Sequence, residues 1–259
     1  YEGLTYTYPY ANDRLHTFLL EGVPDTSAAL RKLGIGYVFH LRRKRSDPND
    51  AVYRLAADAA AVVTDDYPTF IARWHNERVP AKIDTAYYVV DSSCVVPMNR
   101  MEKREYAAYT IRPKIRRLLP QYLRPVEPLH VERKFRGPVP EFHVAVRSAD
   151  IPAVVASCEI DHSVKPSPDY RGGSVAAQHR LKAFLEHRLR RYARERNEPT
   201  RHATSGLSPY LHFGHVSSLD VALQAKSYAE ENGLIADEFL EELIVRRELA
   251  FNHAKFTDD

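Results

Sequence analysis

The pattern of apolar positions changes about halfway along the chain. In the first half, short apolar runs alternate with helix-like segments, and the strand candidates are residues 35–41, 60–64 and 86–90. These runs are rich in β-branched and aromatic residues and lie between helical stretches, which predicts a parallel sheet with right-handed crossovers. The second half is helical apart from its connections. The pattern therefore predicts an α/β domain with a Rossmann-like parallel sheet, followed by an all-α domain.

Capping residues and prolines mark the expected helix ends in the first half. Asn12 or Asp13 can cap a first helix, and Pro24 can open a second helix that ends near Gly34. A further helix is predicted over residues 104–123, where apolar residues recur at helical spacing. A proline inside that segment predicts a kink in the helix.

One long amphipathic pattern opens the second half. Leucines and aromatic residues recur every three or four positions over residues 174–197, so a single helix is predicted that turns Tyr192 inward. Residues 124–160 are rich in proline and have little periodicity, which is typical of a connector. The predicted domains are therefore 1–123 (α/β), 124–160 (connector) and 161–259 (the helical domain, incomplete).

Composition limits the class of protein. The 259 residues are 44% hydrophobic, which is enough for a packed core. Cys94 and Cys158 are too few for a disulfide framework or a zinc site, so we expect buried free thiols and no metal. No signal-peptide pattern or membrane-length apolar run is visible, which predicts a cytoplasmic protein, and we expect a monomer. The first residue is not Met and the last residues follow an amphipathic segment directly, so we expect a chain cropped at both ends.

Positive charge is clustered although the net charge is only +3. Basic residues gather at positions 42–45, 112–117, 188–196 and 246–247. Each cluster can be a solvated helix face, or part of a surface that neutralises DNA phosphates. Composition leaves both interpretations open.

The segment TSGLSPYLHFG, residues 204–214, has the composition of an anion-binding turn. Thr204, Ser205 and Ser208 provide hydroxyls, and Gly206 provides a permissive backbone, directly before Pro209. Proline favours the first turn of a helix, and the N–H groups at a helix start attract anions. The segment could therefore hold a phosphate. The alternative is that Ser208 merely caps a helix whose first residue is Pro209.

Two carboxylates follow a predicted strand in the segment TDDYP. Open α/β sheets bind ligands at the ends of their strands, so Asp65 and Asp66 could line such a site. Helix capping or turn formation is the alternative role for both residues.

Several motifs occur together in one order along the chain: YPYANDRLH, VVTDDYP, VVDSSCVVPMNR, TIRPKI, TSGLSPYLHFGHVSS and EELIVRREL. In this combination the chain resembles the photolyase and cryptochrome family, and within it the class II cyclobutane pyrimidine dimer photolyases. The resemblance implies light-dependent DNA repair, in which excited reduced FAD passes an electron to a pyrimidine dimer that then splits. It implies dimer-containing DNA as the partner, and it allows a second antenna chromophore, a folate or a deazaflavin.

The resemblance also implies roles for individual residues. Glu242 matches an acidic residue that reaches a dimer base, which makes it the candidate catalytic residue; an ordinary ion pair with Arg246 is the alternative. Asn252 could lie near the same pocket, and TIRPKI is a family marker rather than a site. For Tyr192, plain core packing is the alternative to flavin binding. The residues implied to bind FAD are Tyr192, Thr204, Ser205, Gly206, Leu207, Ser208, Leu211 and Arg246.

Two other functions remain open from the residues. A cryptochrome-like photoreceptor would use the same cofactor without repair, and a flavin-free protein could use the basic clusters to bind nucleic acid or act as a scaffold. The given chain by itself is expected to bind FAD weakly or not at all, and to be inactive, because half of the implied FAD pocket lies outside it.

Overall fold

The computed structural model describes residues 1–8, 10–128 and 130–257. Pro9 of the YPYANDRLH segment, Leu129 of the predicted connector, and Asp258 and Asp259 of the predicted helical domain lie outside the described residues. The strands are β1 (Glu2–Thr5), β2 (Phe39–Arg42), β3 (Ala61–Asp65) and β4 (Ala86–Val90). The α-helices are α1 (Asp13–Leu20), α2 (Val23–Leu33), α3 (Ala51–Ala57), α4 (Phe70–Arg78), α5 (Ala108–Tyr122), α6 (Ile151–Ala156), α7 (Ser174–His187), α8 (Leu189–Glu195), α9 (Ser208–His212), α10 (Ser218–Glu231), α11 (Asp237–Leu240) and α12 (Arg247–Phe256).

The chain forms two compact units, and each is built from two separate segments. The first unit contains Tyr1–Leu55 and Glu127–Gln178, and the second contains Ala56–Val126 and His179–Asp259. These units group the chain by internal packing, whereas the boundaries 1–123, 124–160 and 161–259 are expectations from composition. Those boundaries stay a prediction.

In the first unit, β1 and β2 pair in parallel, in a register that runs from Glu2 opposite Phe39 to Thr5 opposite Arg42. Asn12 caps α1 as the sequence predicts, since its Oδ1 accepts from the backbone N–H of Leu15 at 3.0 Å. Helices α1, α2 and α6 and strand β2 share one apolar core. Its buried members are Leu20, Val23, Phe39, Leu41, Ile151, Val155 and Cys158.

Helix α2 explains why β2 is shorter than the predicted strand. The helix ends at Gly34, as predicted, and Gly34 adopts the left-handed conformation with φ 82°. The N–H of Ile35 then donates to the carbonyl of Leu30, which closes the helix end. The N–H of Ile35 is thus used by the helix end, and the pairing with β1 begins where β1 begins, with Glu2 opposite Phe39. Strand β1 itself has no counterpart among the strand candidates.

Two acidic side chains hold the turn that leads into α7. Glu21 Oε2 accepts from the N–H of Gly172 at 2.6 Å, and Asp25 Oδ2 accepts from the N–H of Val175 at 3.0 Å. A side chain at Gly172 would clash with the carbonyl oxygen of Phe18. Glycine is therefore required at position 172 by close backbone approach.

In the second unit, β3 and β4 also pair in parallel, from Ala61 opposite Ala86 to Asp65 opposite Val90. Strand β4 has the predicted bounds, and β3 begins one residue later than predicted. The described residues thus contain two two-stranded parallel sheets in place of the single sheet that the sequence predicts. Parallel strands are normally buried on both faces, yet Val63 and Tyr88 are 65% and 58% exposed.

Two predicted helices differ from the observed ones in their bounds. Helix α5 begins at Ala108 instead of residue 104, since Asn252 binds the backbone of Lys103 and Glu105 and keeps it out of the helix. The predicted helix over residues 174–197 is divided into α7 and α8 at Arg188, whose φ of −127° is not helical.

A π-helical turn, Glu241–Arg246, connects α11 to α12. Such turns have i to i+5 hydrogen bonds, are rare, and occur frequently at functional sites. Its residues Leu243, Ile244 and Val245 are buried. Other buried side chains of the second unit are Ile111, Ile115, Leu181, Phe184, Tyr192, Leu207, Tyr210, Val221 and Phe239.

Candidate functional site

The turn Thr204–Ser208 is built by Gly206 and Ser205. Gly206 has φ 69°, which favours glycine, and Ser205 Oγ accepts from the N–H of Leu207 at 3.3 Å. Helix α9 begins at Ser208 itself, with Leu207 at the cap position and no side-chain capping bond. The expectation that Ser208 caps this helix is therefore wrong. Ser205, two residues before the cap position, accepts the hydrogen bond from the Leu207 N–H instead.

Two hydroxyls of this turn are exposed. Thr204 and Ser208 lie on the surface, and neither hydroxyl forms a hydrogen bond within the described part of the chain. Arg188 Nη1 donates to the carbonyl of Thr204 at 3.1 Å, which places a guanidinium beside the turn. This arrangement of hydroxyls, glycine and a cation suits an anionic group. Sequence reasoning missed Arg188 because it placed that residue inside an unbroken helix.

Tyr192 faces inward, as the sequence predicts, and is 8% exposed. Its ring packs edge-to-face on Phe184 and Phe239, with centroid distances of 5.7 and 5.5 Å. The Arg196 guanidinium lies 5.8 Å from the centre of the same ring. Burial raises the pKa of Tyr192, and the neighbouring Arg196 opposes that shift. Leu207, at the start of α9, is buried, and Leu211, within α9, is half-buried.

Glu242 lies on the π-helical turn and pairs with a residue of another element. Arg196 Nη1 lies 2.6 Å from Glu242 Oε1, and Arg196 Nη2 lies 3.5 Å from Glu238 Oε2. The alternative, an ion pair between Glu242 and Arg246, does not form among the described residues. The Glu242 carboxylate is engaged by Arg196 instead, and Arg246 is exposed.

The TIRPKI motif contacts the residue next to Glu242. Arg112 Nε and Nη2 lie 3.0 and 2.7 Å from Glu241 Oε1. Each of the two neighbouring carboxylates of the π-helical turn is thus paired with an arginine from elsewhere in the chain, Arg112 of α5 and Arg196 at the end of α8. Sequence reasoning treated this motif as a family marker only, and no local signal links position 112 to position 241.

Helix α12 directs two buried polar side chains at the segment that follows β4. Glu248 is 1% exposed, and its Oε1 accepts from the N–H groups of Val95 and Val96 at 2.7 and 3.0 Å. Its other oxygen, Oε2, has no hydrogen-bond partner among the described residues. Burial raises the pKa of Glu248 to about 8, although the two backbone N–H groups oppose the shift.

Asn252, one helical turn after Glu248, is fully buried. Its Oδ1 accepts from the N–H of Glu105 at 2.6 Å, and its Nδ2 donates to the carbonyl of Lys103 at 3.1 Å. The Asn252 amide thus binds backbone groups on both sides and holds the segment before α5. Whether Asn252 lies near the flavin pocket stays a prediction.

The two carboxylates at the end of β3 are also engaged within the chain. Asp65 accepts a hydrogen bond from Ser92, and Asp66 Oδ2 lies 3.0 Å from Lys255 Nζ. Asp66 therefore connects β3 to α12. A ligand would have to displace these partners in order to reach either carboxylate.

Neither thiol forms a disulfide. Cys94 and Cys158 are buried free cysteines, as the sequence predicts, and burial raises the pKa of both. Among residues 1–8, 10–128 and 130–257, no group of three or more His, Cys, Asp and Glu side chains could hold a metal ion. No helix of the described chain is both long and apolar enough to span a membrane.

Comparison with known proteins gives matches along nearly the whole chain. The DNA photolyase family profile matches residues 5–132. A deoxyribodipyrimidine photo-lyase from Methanothermobacter thermautotrophicus is 37% identical over 260 residues, which covers 99% of this chain and 54% of that protein. One from Arabidopsis thaliana is 36% identical over 91% of this chain and 48% of that protein. The chain spans about half the length of these curated relatives.

Solved structures share the fold at low sequence identity. An archaeal photolyase from Sulfolobus tokodaii, crystallised with two FAD molecules, has a TM-score of 0.68 at 19% identity and covers 97% of this chain and 50% of its own. A cryptochrome from Synechocystis has a TM-score of 0.62 at 16% identity, over 95% of this chain and 51% of its own. From its motifs, its fold and these relatives together, the chain belongs to the photolyase and cryptochrome family.

Proposed function

We propose that the protein to which this chain belongs is a class II-like deoxyribodipyrimidine photolyase, which splits cyclobutane pyrimidine dimers in DNA under blue light with reduced FAD. The observation that carries the proposal is the Glu242 carboxylate, held by Arg196 on a π-helical turn beside the Tyr192 ring. The names of the relatives that match nearly the whole chain support the same activity.

The turn Thr204–Ser208 fits the pyrophosphate of FAD. The hydroxyls of Thr204 and Ser208 are exposed and form no hydrogen bond with any described residue, while Gly206 lets the backbone approach closely. Arg188 adds a positive charge beside the turn. Bound FAD supplies the light-driven electron transfer, and the residues of the turn bind and orient it.

The remaining proposed FAD contacts are Tyr192, the residues around the start of α9, and Arg246. The ring of Tyr192 is fixed by two phenylalanines, so it offers a rigid wall with its hydroxyl near Arg196. Ser205, Leu207 and Leu211, just before and within α9, are further proposed contacts. Arg246 is exposed, and its guanidinium is therefore accessible to an anionic group.

Glu242 is proposed to bind the dimer. Its carboxylate oxygens, which pair with Arg196, can accept a hydrogen bond from a base N–H. In that role the carboxylate orients the flipped base and neither forms nor breaks a covalent bond. The exposed Arg116, Arg117, Arg190 and Arg194 can neutralise phosphates of the DNA around the lesion.

A cryptochrome-like photoreceptor is the second candidate, because the Synechocystis cryptochrome shares the fold with a TM-score of 0.62. Both candidates would bind FAD, so flavin binding does not separate them. Turnover of dimers separates them. A second antenna chromophore and the monomeric state belong to the proposal as well, and absorbance and light scattering of the purified protein test them.

The decisive experiment uses the full-length natural protein with reduced flavin, blue light and DNA that contains one cyclobutane dimer. We expect light-dependent loss of the dimer, and about tenfold slower repair in Glu242→Gln, which loses a charged hydrogen-bond acceptor. Glu230→Gln is the matched control, because it neutralises an exposed ion pair with Lys226 on α10. Bound reduced flavin without repair would favour the photoreceptor, and absence of flavin would leave the nucleic-acid-binding or scaffold function.

A further inference from the structure

Arg112 of α5 forms a multiple hydrogen-bonded ion pair with Glu241. Its Nε and Nη2 lie 3.0 and 2.7 Å from Oε1, and Nε also lies 3.2 Å from Oε2. The two side chains are mostly buried, with 29% and 20% of their surfaces exposed. A planar guanidinium that engages both oxygens of a carboxylate fixes orientation as well as distance. Arg112 therefore holds Glu241 in a defined direction relative to α5.

Helix α5 is held in place by buried side chains on both sides of Arg112. Ile111 and Ile115, on either side of Arg112 along the helix, are fully buried. Lys114 pairs with the buried Glu105, which itself is bound by Asn252 of α12. The TIRPKI segment is thus anchored by side chains before and after the arginine.

Glu241, the residue that Arg112 binds, is the first residue of the π-helical turn. A π-helical turn is less favourable than an α-helical one and is kept in proteins by surrounding contacts. It also changes the direction in which the following side chains point, because each turn contains an extra residue. Because Glu242 follows Glu241 directly, the stretch of backbone that Arg112 holds through Glu241 also carries the Glu242 side chain. Buried Leu243 and Ile244 hold the inner side of the same turn.

We infer that Arg112 is a positioning residue for Glu242: its ion pair with Glu241 holds the π-helical turn so that the Glu242 carboxylate points at Arg196 and the dimer-binding side. This inference rests on the proposed function, in which Glu242 contacts the dimer. Through Arg112 the TIRPKI segment would then support dimer binding by positioning Glu242, without contacting the cofactor or the substrate itself.

The test is a double-mutant cycle in the full-length natural protein, with two readouts: the rate of light-driven dimer repair and the affinity for dimer-containing DNA in the dark. We expect Arg112→Gln to lower the repair rate about tenfold to a hundredfold, the usual effect of displacing a group by about 1 Å. In a Glu242→Gln background the same substitution should lower the rate and the dark affinity by less than about twofold, because the group that it misplaces is already neutral. The exchange Arg112→Glu with Glu241→Arg should recover part of the loss.

Arg147→Gln is the matched control, because it removes an exposed arginine–aspartate pair in the first unit. Arg112→Lys, which keeps the charge without the planar fork, replaces Arg112→Gln if thermal unfolding shows that the latter does not fold. Equal losses in the wild-type and Glu242→Gln backgrounds, or wild-type repair in Arg112→Gln, would overturn the inference. Failure of the wild-type protein to repair dimers would instead reject the proposed function, and the wild-type reaction shows that separately.

Discussion

The turn Thr204–Ser208 and the inner face of α12 belong to the same unit and are both rich in polar groups, but they use those groups in opposite ways. Thr204 and Ser208 expose their hydroxyls and form no hydrogen bonds within the described chain. Glu248 and Asn252 are buried, and between them they bind four backbone groups of residues 95–105.

Buried polar groups such as those of Glu248 and Asn252 stabilise the fold, whereas exposed hydroxyls such as those of Thr204 and Ser208 remain available to a ligand. A buried polar group that binds buried backbone groups cannot be removed without leaving those groups unsatisfied. An exposed hydroxyl without a partner can be removed at little cost to stability. The turn therefore keeps polar groups available for the proposed cofactor, whereas α12 holds the segment that connects β4 to α5.

The largest effect is expected from Glu248→Ala. The substitution leaves the N–H groups of Val95 and Val96 buried without an acceptor and opens a cavity, so the free energy of unfolding should fall by about 3 kcal/mol. Urea unfolding of the chain measures this. Glu248→Gln keeps an acceptor oxygen for the same groups and should lose about 1 kcal/mol or less. A loss below about 1 kcal/mol in the alanine variant would mean that α12 does not hold this segment.

Asn252→Ala comes next, with an expected loss of about 2 kcal/mol in the free energy of unfolding, because the N–H of Glu105 and the carbonyl of Lys103 lose their partner. The neighbouring His253 is exposed, and His253→Ala should change stability by less than about 0.5 kcal/mol. Equal effects of the two substitutions would remove the contrast between the buried and exposed positions of α12.

The pH dependence of stability should show the titration of Glu248. Burial raises the pKa of its folded-state carboxyl to about 8, above the ordinary value of 4.5, so the folded protein binds the proton more tightly than the unfolded chain. Stability from this group is therefore present at low pH and is lost as pH rises from about 4.5 to about 8. Between about pH 6 and pH 7 the wild type should lose about 1 kcal/mol relative to Glu248→Gln. Parallel pH profiles for the two proteins would contradict the assignment.

The smallest effect on stability is expected from Ser208→Ala at the turn. The hydroxyl is exposed and unpaired within the described chain, so the free energy of unfolding should change by less than about 0.5 kcal/mol. If the turn binds the FAD pyrophosphate as proposed, FAD affinity of the full-length protein should fall about tenfold, as for the loss of one hydrogen bond to a charged group. Ser227→Ala, at an exposed serine of α10, is the control for both measurements. Unchanged FAD affinity would remove Ser208 from the proposed site.

Local signals along the chain were sufficient for several elements. Asn12 as a helix cap, Gly34 as a helix end and β4 over Ala86–Val90 are all as predicted, because each depends on neighbouring residues. The helix predicted over residues 104–123 was too long at its start because Asn252 binds the backbone there. The same limit applies to the candidate site, in which the motifs identified Tyr192, Glu242 and the Thr204–Ser208 turn but not their partners.

Short-range preferences determine where a helix or strand can form, so the amino-acid order was enough to place several helices and strands and the helical second half. The residues proposed to bind a flavin and a pyrimidine base were implied by the family resemblance. The pairing of polar groups depends on residues that are distant along the chain. Arg112 and Glu241 are 129 positions apart, and Glu248 and Val95 are 153 apart. Only folding brings such pairs together, and burial then decides which of them hold the structure. The exposed hydroxyls of the turn remain available because no distant residue of the described chain binds them.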